Sequence, residues 1–100
     1  MMKKLYIVAK GRVQGVGYRK FIVNSARSIK EIEGFVRNLP KGEVEILAIG
    51  DENRLNQLVA ASKEGPVFSR VTNVEISDVT KEDKKDLFSL VEKESFRAIL

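Results

Sequence analysis

The stretch GFVRNLPKGEVEILAIG, residues 34–50, reads as two extended runs folded back on each other. GFVRN and GEVEILAIG are rich in aliphatic residues, and Leu39-Pro40-Lys41-Gly42 lies between them. Proline at the second turn position arrives with φ near the value a type I turn needs, and glycine suits the fourth. A β-hairpin is expected here.

Upstream of the hairpin, KLYIVAK at 4–10 is β-branched and aromatic and stops at Gly11, which is a strand pattern. From Tyr18 the period changes: Phe21, Ile22, Ala26 and Ile29 recur at helical spacing, with Lys20, Asn24, Arg27 and Lys30 opposite. That predicts an amphipathic helix ending before Gly34. Downstream, Asp51 is placed as an N-cap, and Leu55, Leu58, Val59 and Ser62 form one face of a second helix that gives out near Gly65-Pro66. RVTNVEISDV at 70–79 is a further strand, whose imperfect alternation points to a bulge. After the charged turn KEDKKD, the short apolar run LFSLV at 87–91 closes the pattern as an extra strand.

A hairpin between two helices, with a strand before and another after, is the β-α-β-β-α-β order of a split βαβ unit. The expected fold is α+β and ferredoxin-like: an antiparallel sheet with two helices on one face and a fifth strand near the C-terminus. Residues 1–91 are expected as one domain and residues 92–100 as a C-terminal extension. In that extension Phe96, Ile99 and Leu100 are apolar enough to pack on the domain, to join another chain or to fray.

The chain of 100 residues carries a net charge of +4 without a block of like charges, which favours anionic ligands but falls short of a nucleic-acid signature. It has no cysteine, so no disulfide and no thiolate nucleophile. It has no histidine, which removes the commonest general base and most zinc sites. Any chemistry rests on carboxylates, Lys, Arg, Tyr, amides and the backbone. LYIVA, after two lysines, is too short for a signal-peptide core, and no run approaches transmembrane length. A cytoplasmic protein without a membrane partner is expected.

The segment GRVQGVGYRK, 11–20, falls between the first strand and the first helix. Its glycines at 15 and 17 can adopt positive φ, so successive N–H groups can turn inward around an anion at the helix start. Arg19 could add a planar fork of donors matched to phosphate. The spacing fits neither GxxxxGK[ST] nor GxGxxG, so on spacing alone a plain turn and an anion cradle both stand. Asn38, before the Pro-Lys-Gly turn, is ordinary turn chemistry unless the fold brings it to Arg19.

GRVQGVGYR followed by GFVRN-x-x-x-G-x-VE resembles the acylphosphatase family, and the likeness runs from about residue 3 to residue 91, including GDE at 50–52 and GPVFSRV at 65–71. The resemblance implies hydrolysis of the carboxyl–phosphate bond of acyl phosphates by direct attack of water. On that analogy the backbone amides of Gln14, Gly15, Val16, Gly17, Tyr18 and Arg19 hold the phosphoryl oxygens. The Arg19 guanidinium grips the same group, and Asn38 orients the water. It further implies no metal and no covalent enzyme intermediate; a monomer acting on a small acyl phosphate, without a cofactor or a nucleic-acid partner, is expected. Two departures stand out. SIKEIEG lacks the glycine common before the second strand, so helix one is expected to run slightly longer, and Phe35 stands where Trp is frequent.

Two other classes compete. An RNA-binding RRM shares the element order, but it needs stacking aromatics on strand three, where this chain has GEVEILAIG. A non-catalytic sensor of phosphorylated metabolites would keep the loop but would not need both Arg19 and Asn38. Tyr6 and Tyr18 read as packing or rim residues, Glu43 and Glu45 as solubility charges on a strand face, and VEISDVTKEDKKD as a solvated turn.

Overall fold

A computed structural model describes residues 1–99; Leu100 lies outside the described residues. The strands are β1 (Met2–Arg12), β2 (Glu33–Asn38), β3 (Val44–Asp51), β4 (Arg70–Asp78) and β5 (Phe96–Ile99), and the helices are α1 (Tyr18–Ile29), α2 (Glu52–Glu64) and the short α3 (Lys85–Phe88). The sheet order is β4-β1-β3-β2-β5. The first four strands pair antiparallel, whereas β5 pairs parallel to β2, so the sheet is mixed rather than wholly antiparallel.

The hairpin forms as the turn chemistry requires. Gly42 N–H donates to Leu39 C=O at 3.3 Å, Leu39 N–H donates to Glu43 C=O at 2.8 Å, and the ladder runs from Asn38↔Val44 to Glu33↔Ile49. The bulge lies in β4: Lys10 pairs with Asn73 and Gly11 with Val71, leaving Thr72 as the extra residue. Leu5, Ile7 and Ala9 of β1, Val44, Ile46 and Ala48 of β3, and Val36 of β2 form one buried face. Tyr18, Ile22, Val23 and Ala26 of α1 and Leu55 and Leu58 of α2 pack on it.

Asp51 caps α2, its carboxylate accepting from Asn53 N–H at 3.1 Å, and it is also paired with the N-terminal amine at 3.0 Å. Both contacts hold the Asp51 carboxyl below its usual range, the amine most. Asp51→Ala is expected to lower the midpoint of urea unfolding, chiefly through the lost cap.

The expected lengthening of helix one does not occur. Helix α1 stops at Ile29, and Lys30 (φ 73°) and Glu31 (φ 58°) turn left-handed without a glycine. Arg54 of α2 is the physical reason. Its guanidinium donates to Ile29 C=O at 2.6 Å and Lys30 C=O at 3.3 Å, and it pairs with Glu31 at 3.1 Å. The freed carbonyls at the helix end thus gain a cation.

The run 87–91 is not a strand. Leu87 and Phe88 close α3, and Leu90 N–H and Val91 N–H turn back to Leu87 and Phe88 carbonyls at 3.0 and 3.1 Å. The fifth strand is Phe96–Ile99 instead, drawn from the segment expected as an extension. A five-residue apolar run has no decisive period, and this one serves another surface. Strands β4 and β5 lie at opposite edges of the sheet, so the chain between them must cross it. It crosses the face away from α1 and α2, where Lys84 Nζ sits 4.3 Å from the Tyr6 ring centroid and Arg97 donates to Leu90 C=O at 2.7 Å. Phe35 and Leu47, paired on that face, are fully buried.

The same face corrects the reading of Glu45 as a solubility charge. Glu45 is only 2 % exposed. Its carboxylate is ion-paired with Arg37 opposite it and accepts from Tyr6 Oη at 2.7 Å. Burial first, and the adjacent carboxylate second, push the Tyr6 phenol up, so it stays a donor at ordinary pH.

Candidate active site

Strand β1 ends at Arg12, and the chain then bends through residues 14–17 before α1 begins. Gly15 and Gly17 hold φ of 72° and 82°, and open space surrounds both where a side chain would stand. Glycine is required there by conformation rather than by room. Gly17 is the N-cap of α1; it offers no side-chain acceptor, and the first turn carries no acidic residue. Helix α2 has both, in Asp51 and Glu52. The start of α1 therefore presents N–H donors that its own sequence leaves unanswered.

Around that helix start lies a cavity of about 580 Å³, lined among others by Gly15, Gly17, Tyr18, Arg19 and Asn38. The topology brings Asn38 there: β2 is separated from β1 only by β3, and its last residue points to the end of the sheet where β1 releases the loop. Among the described residues Asn38 Oδ1 is a buried acceptor with no hydrogen-bond partner. Arg19 is half-buried, and one of its Nη atoms donates to Ile99 C=O at 3.1 Å. Strand β5 thus meets Arg19 through its last residue. Nothing in Arg19 or its neighbours could have announced that contact; it follows from β5 pairing with the edge of β2.

Two of the six loop residues do not line the cavity. Val16 packs toward the core, and the Gln14 side chain turns to the hairpin, its amide donating to Leu39 C=O and Glu43 C=O at 2.8 Å each. Tyr18 is a core residue, as its sequence reading expects. It is 1 % exposed, its hydroxyl donates to Ser62 C=O at 2.8 Å, and burial raises its pKa. Among the described residues no cluster of three or more carboxylates is placed to hold a metal ion, and no helix is long and apolar enough to cross a membrane.

The acylphosphatase family model matches residues 5–90, most of the chain. The chain belongs to the acylphosphatase family. An acylphosphatase of Bacillus subtilis is 40% identical over 90 residues, spanning 90% of this chain and 98% of the relative. One of Chlorobaculum tepidum is 39% identical over 77 residues, spanning 77% and 83%. The crystal structure of the Bacillus subtilis acylphosphatase superposes with a TM-score of 0.79 at 36% identity, covering 100% of this chain and 99% of that one. The acylphosphatase family is one of hydrolases, and the ferredoxin-like fold is shared.

Proposed function

We propose that the protein hydrolyses acyl phosphates, with the phosphoryl group seated in the 14–19 loop, gripped by Arg19, and attacked by a water that Asn38 orients. The buried, unpartnered Asn38 Oδ1 in the same cavity as Arg19 carries this reading. A buried acceptor left without a partner costs about 1–3 kcal/mol, and a water donating to it would remove that cost while fixing the water's direction. The uncapped start of α1 and the Arg19 guanidinium offer donors where charge collects on the phosphoryl oxygens. The acyl group would lie along Val23, Asn24 and Arg27, which also line the cavity.

In the proposed step the water oxygen forms a bond to phosphorus as the bond from phosphorus to the carboxyl oxygen breaks. The carboxylate departs with that electron pair, and the water's proton passes to a phosphate oxygen of the substrate. A carboxylate is a weak base and leaves without a general acid. Positioning and charge stabilisation are then what the protein must supply, which suits a chain without histidine or cysteine and needs no metal.

The test is hydrolysis of acetyl phosphate without added metal, with inorganic phosphate as competitor. The wild type is expected to turn over and to be inhibited by phosphate. Asn38→Ala is expected to lose about a hundredfold in kcat, or about 2.7 kcal/mol, while its inhibition by phosphate changes little. Phosphate binding without turnover would make the protein a sensor built on the same cradle.

A further inference from the structure

Gln14 links the two halves of the site. Its side-chain NH2 donates to Leu39 C=O and to Glu43 C=O, both at 2.8 Å. Both partners are carbonyls, so only the amide nitrogen can face them. These are also the two carbonyls that close the turn: Leu39 C=O receives Gly42 N–H, and Glu43 C=O receives Leu39 N–H. Leu39 directly follows Asn38. The other end of the link is in the cradle loop itself, three residues before the Gly17 N-cap and five before Arg19.

The sheet alone does not join these pieces. The β1–β3 ladder stops at Ala9↔Val44, and past it β1 pairs only with β4. Among the described residues, the hydrogen bonds between the 13–17 loop and the 38–43 segment are the two that Gln14 makes. Lys10 reaches Glu43 only as a loose, exposed pair at 3.6 Å.

We infer that Gln14 is a positioning residue: its side-chain amide sets the distance between the phosphate cradle and Asn38, and so the line of attack of the water. This inference rests on the role proposed for Asn38. In-line displacement is sensitive to small misplacement of the attacking group, and a shift of about 1 Å can cost on the order of a hundredfold. A single side chain that spans the gap between nucleophile-orienting and phosphate-binding groups has that leverage.

The test compares Gln14→Met, which keeps length without donors, and Gln14→Glu, whose carboxylate opposes both carbonyls at neutral pH. Acetyl phosphate turnover, inhibition by inorganic phosphate and thermal unfolding are measured for each, alone and combined with Asn38→Ala. Both variants are expected to lose about tenfold or more in kcat, with the phosphate inhibition constant within about threefold of wild type. In the Asn38→Ala background the same changes are expected to cost less than about twofold, because the group being positioned is gone. Full kcat in the folded variants overturns the inference, as do losses that add to Asn38→Ala or phosphate affinity that falls in step with kcat. Failure of both variants to fold would make Gln14 a residue of the fold rather than of the site. A wild type without turnover would instead overturn the functional reading, and this inference with it.

Discussion

Arg19→Ala is expected to lower kcat/KM for a small acyl phosphate by about a thousandfold, or about 4 kcal/mol, and to weaken inhibition by phosphate at the same time. Arg19 stands in the first turn of α1, beside backbone donors that carry only partial charge. Of the two cations in that first turn, Arg19 is partly buried and Lys20 is exposed. Removing it takes the charge-assisted bonds from bound substrate and transition state alike, which is why affinity falls with rate. On the proposed reading Asn38→Ala should differ in kind, since there Asn38 orients the water and does not hold the phosphoryl group. Arg19→Lys should recover little. A lysine ammonium lacks the planar fork, and it cannot donate to Ile99 C=O and to a phosphoryl oxygen in the same geometry. The measurement is steady-state kinetics with phosphate as competitor, beside a thermal melt. A wild-type KM in a folded Arg19→Ala chain would place the phosphoryl group elsewhere.

The elements that could be read from the sequence are those whose signals are local. Pro40 and Gly42 specify the hairpin turn, Asp51 specifies the start of α2, and the broken alternation around Thr72 marks the bulge. What escaped is what depends on partners far along the chain. LFSLV and SFRAI are both short segments with three or four apolar residues, and only the geometry of crossing from one sheet edge to the other decides that the first covers and the second pairs. Lys30 and Glu31 adopt a left-handed turn because Arg54, on another helix, answers the freed carbonyls. The site divides the same way. Glycine at 15 and 17 and a cation at 19 are legible in order, whereas the clamp at Gln14 and the contact of Arg19 with Ile99 are visible only in three dimensions. Glu45 misleads for a related reason. Alternation places it on the face opposite the helices, and a solvated face is the natural expectation until the 79–95 crossing is seen to cover it.

That covered face carries the other large effect. Arg37→Ala is expected to cost about 3 kcal/mol of stability, although Arg37 lies on a face away from the 14–19 loop. Glu45 is buried, and its charge is met by Arg37 and by the Tyr6 hydroxyl. With Arg37 gone, one neutral hydrogen bond is left to support a carboxylate in a site that water scarcely reaches. The guanidinium is itself about one-third exposed, at 31%, which keeps the loss at the lower end of what breaking a buried pair costs. The remedy separates the penalty of an orphaned charge from the worth of the pair. Replacing both residues, Arg37→Met with Glu45→Leu, removes the ions together and fills the space with apolar groups beside Phe35 and Leu47. This double variant should recover most of the stability that Arg37→Ala loses, because two ions that need not be desolvated need not attract each other. Urea unfolding of the wild type, the single and the double variant measures it, with an unchanged slope showing that the midpoints report stability. A double variant as unstable as Arg37→Ala would mean that the pair contributes net stability of its own to the β2–β3 ladder, beyond sparing Glu45 an uncompensated charge.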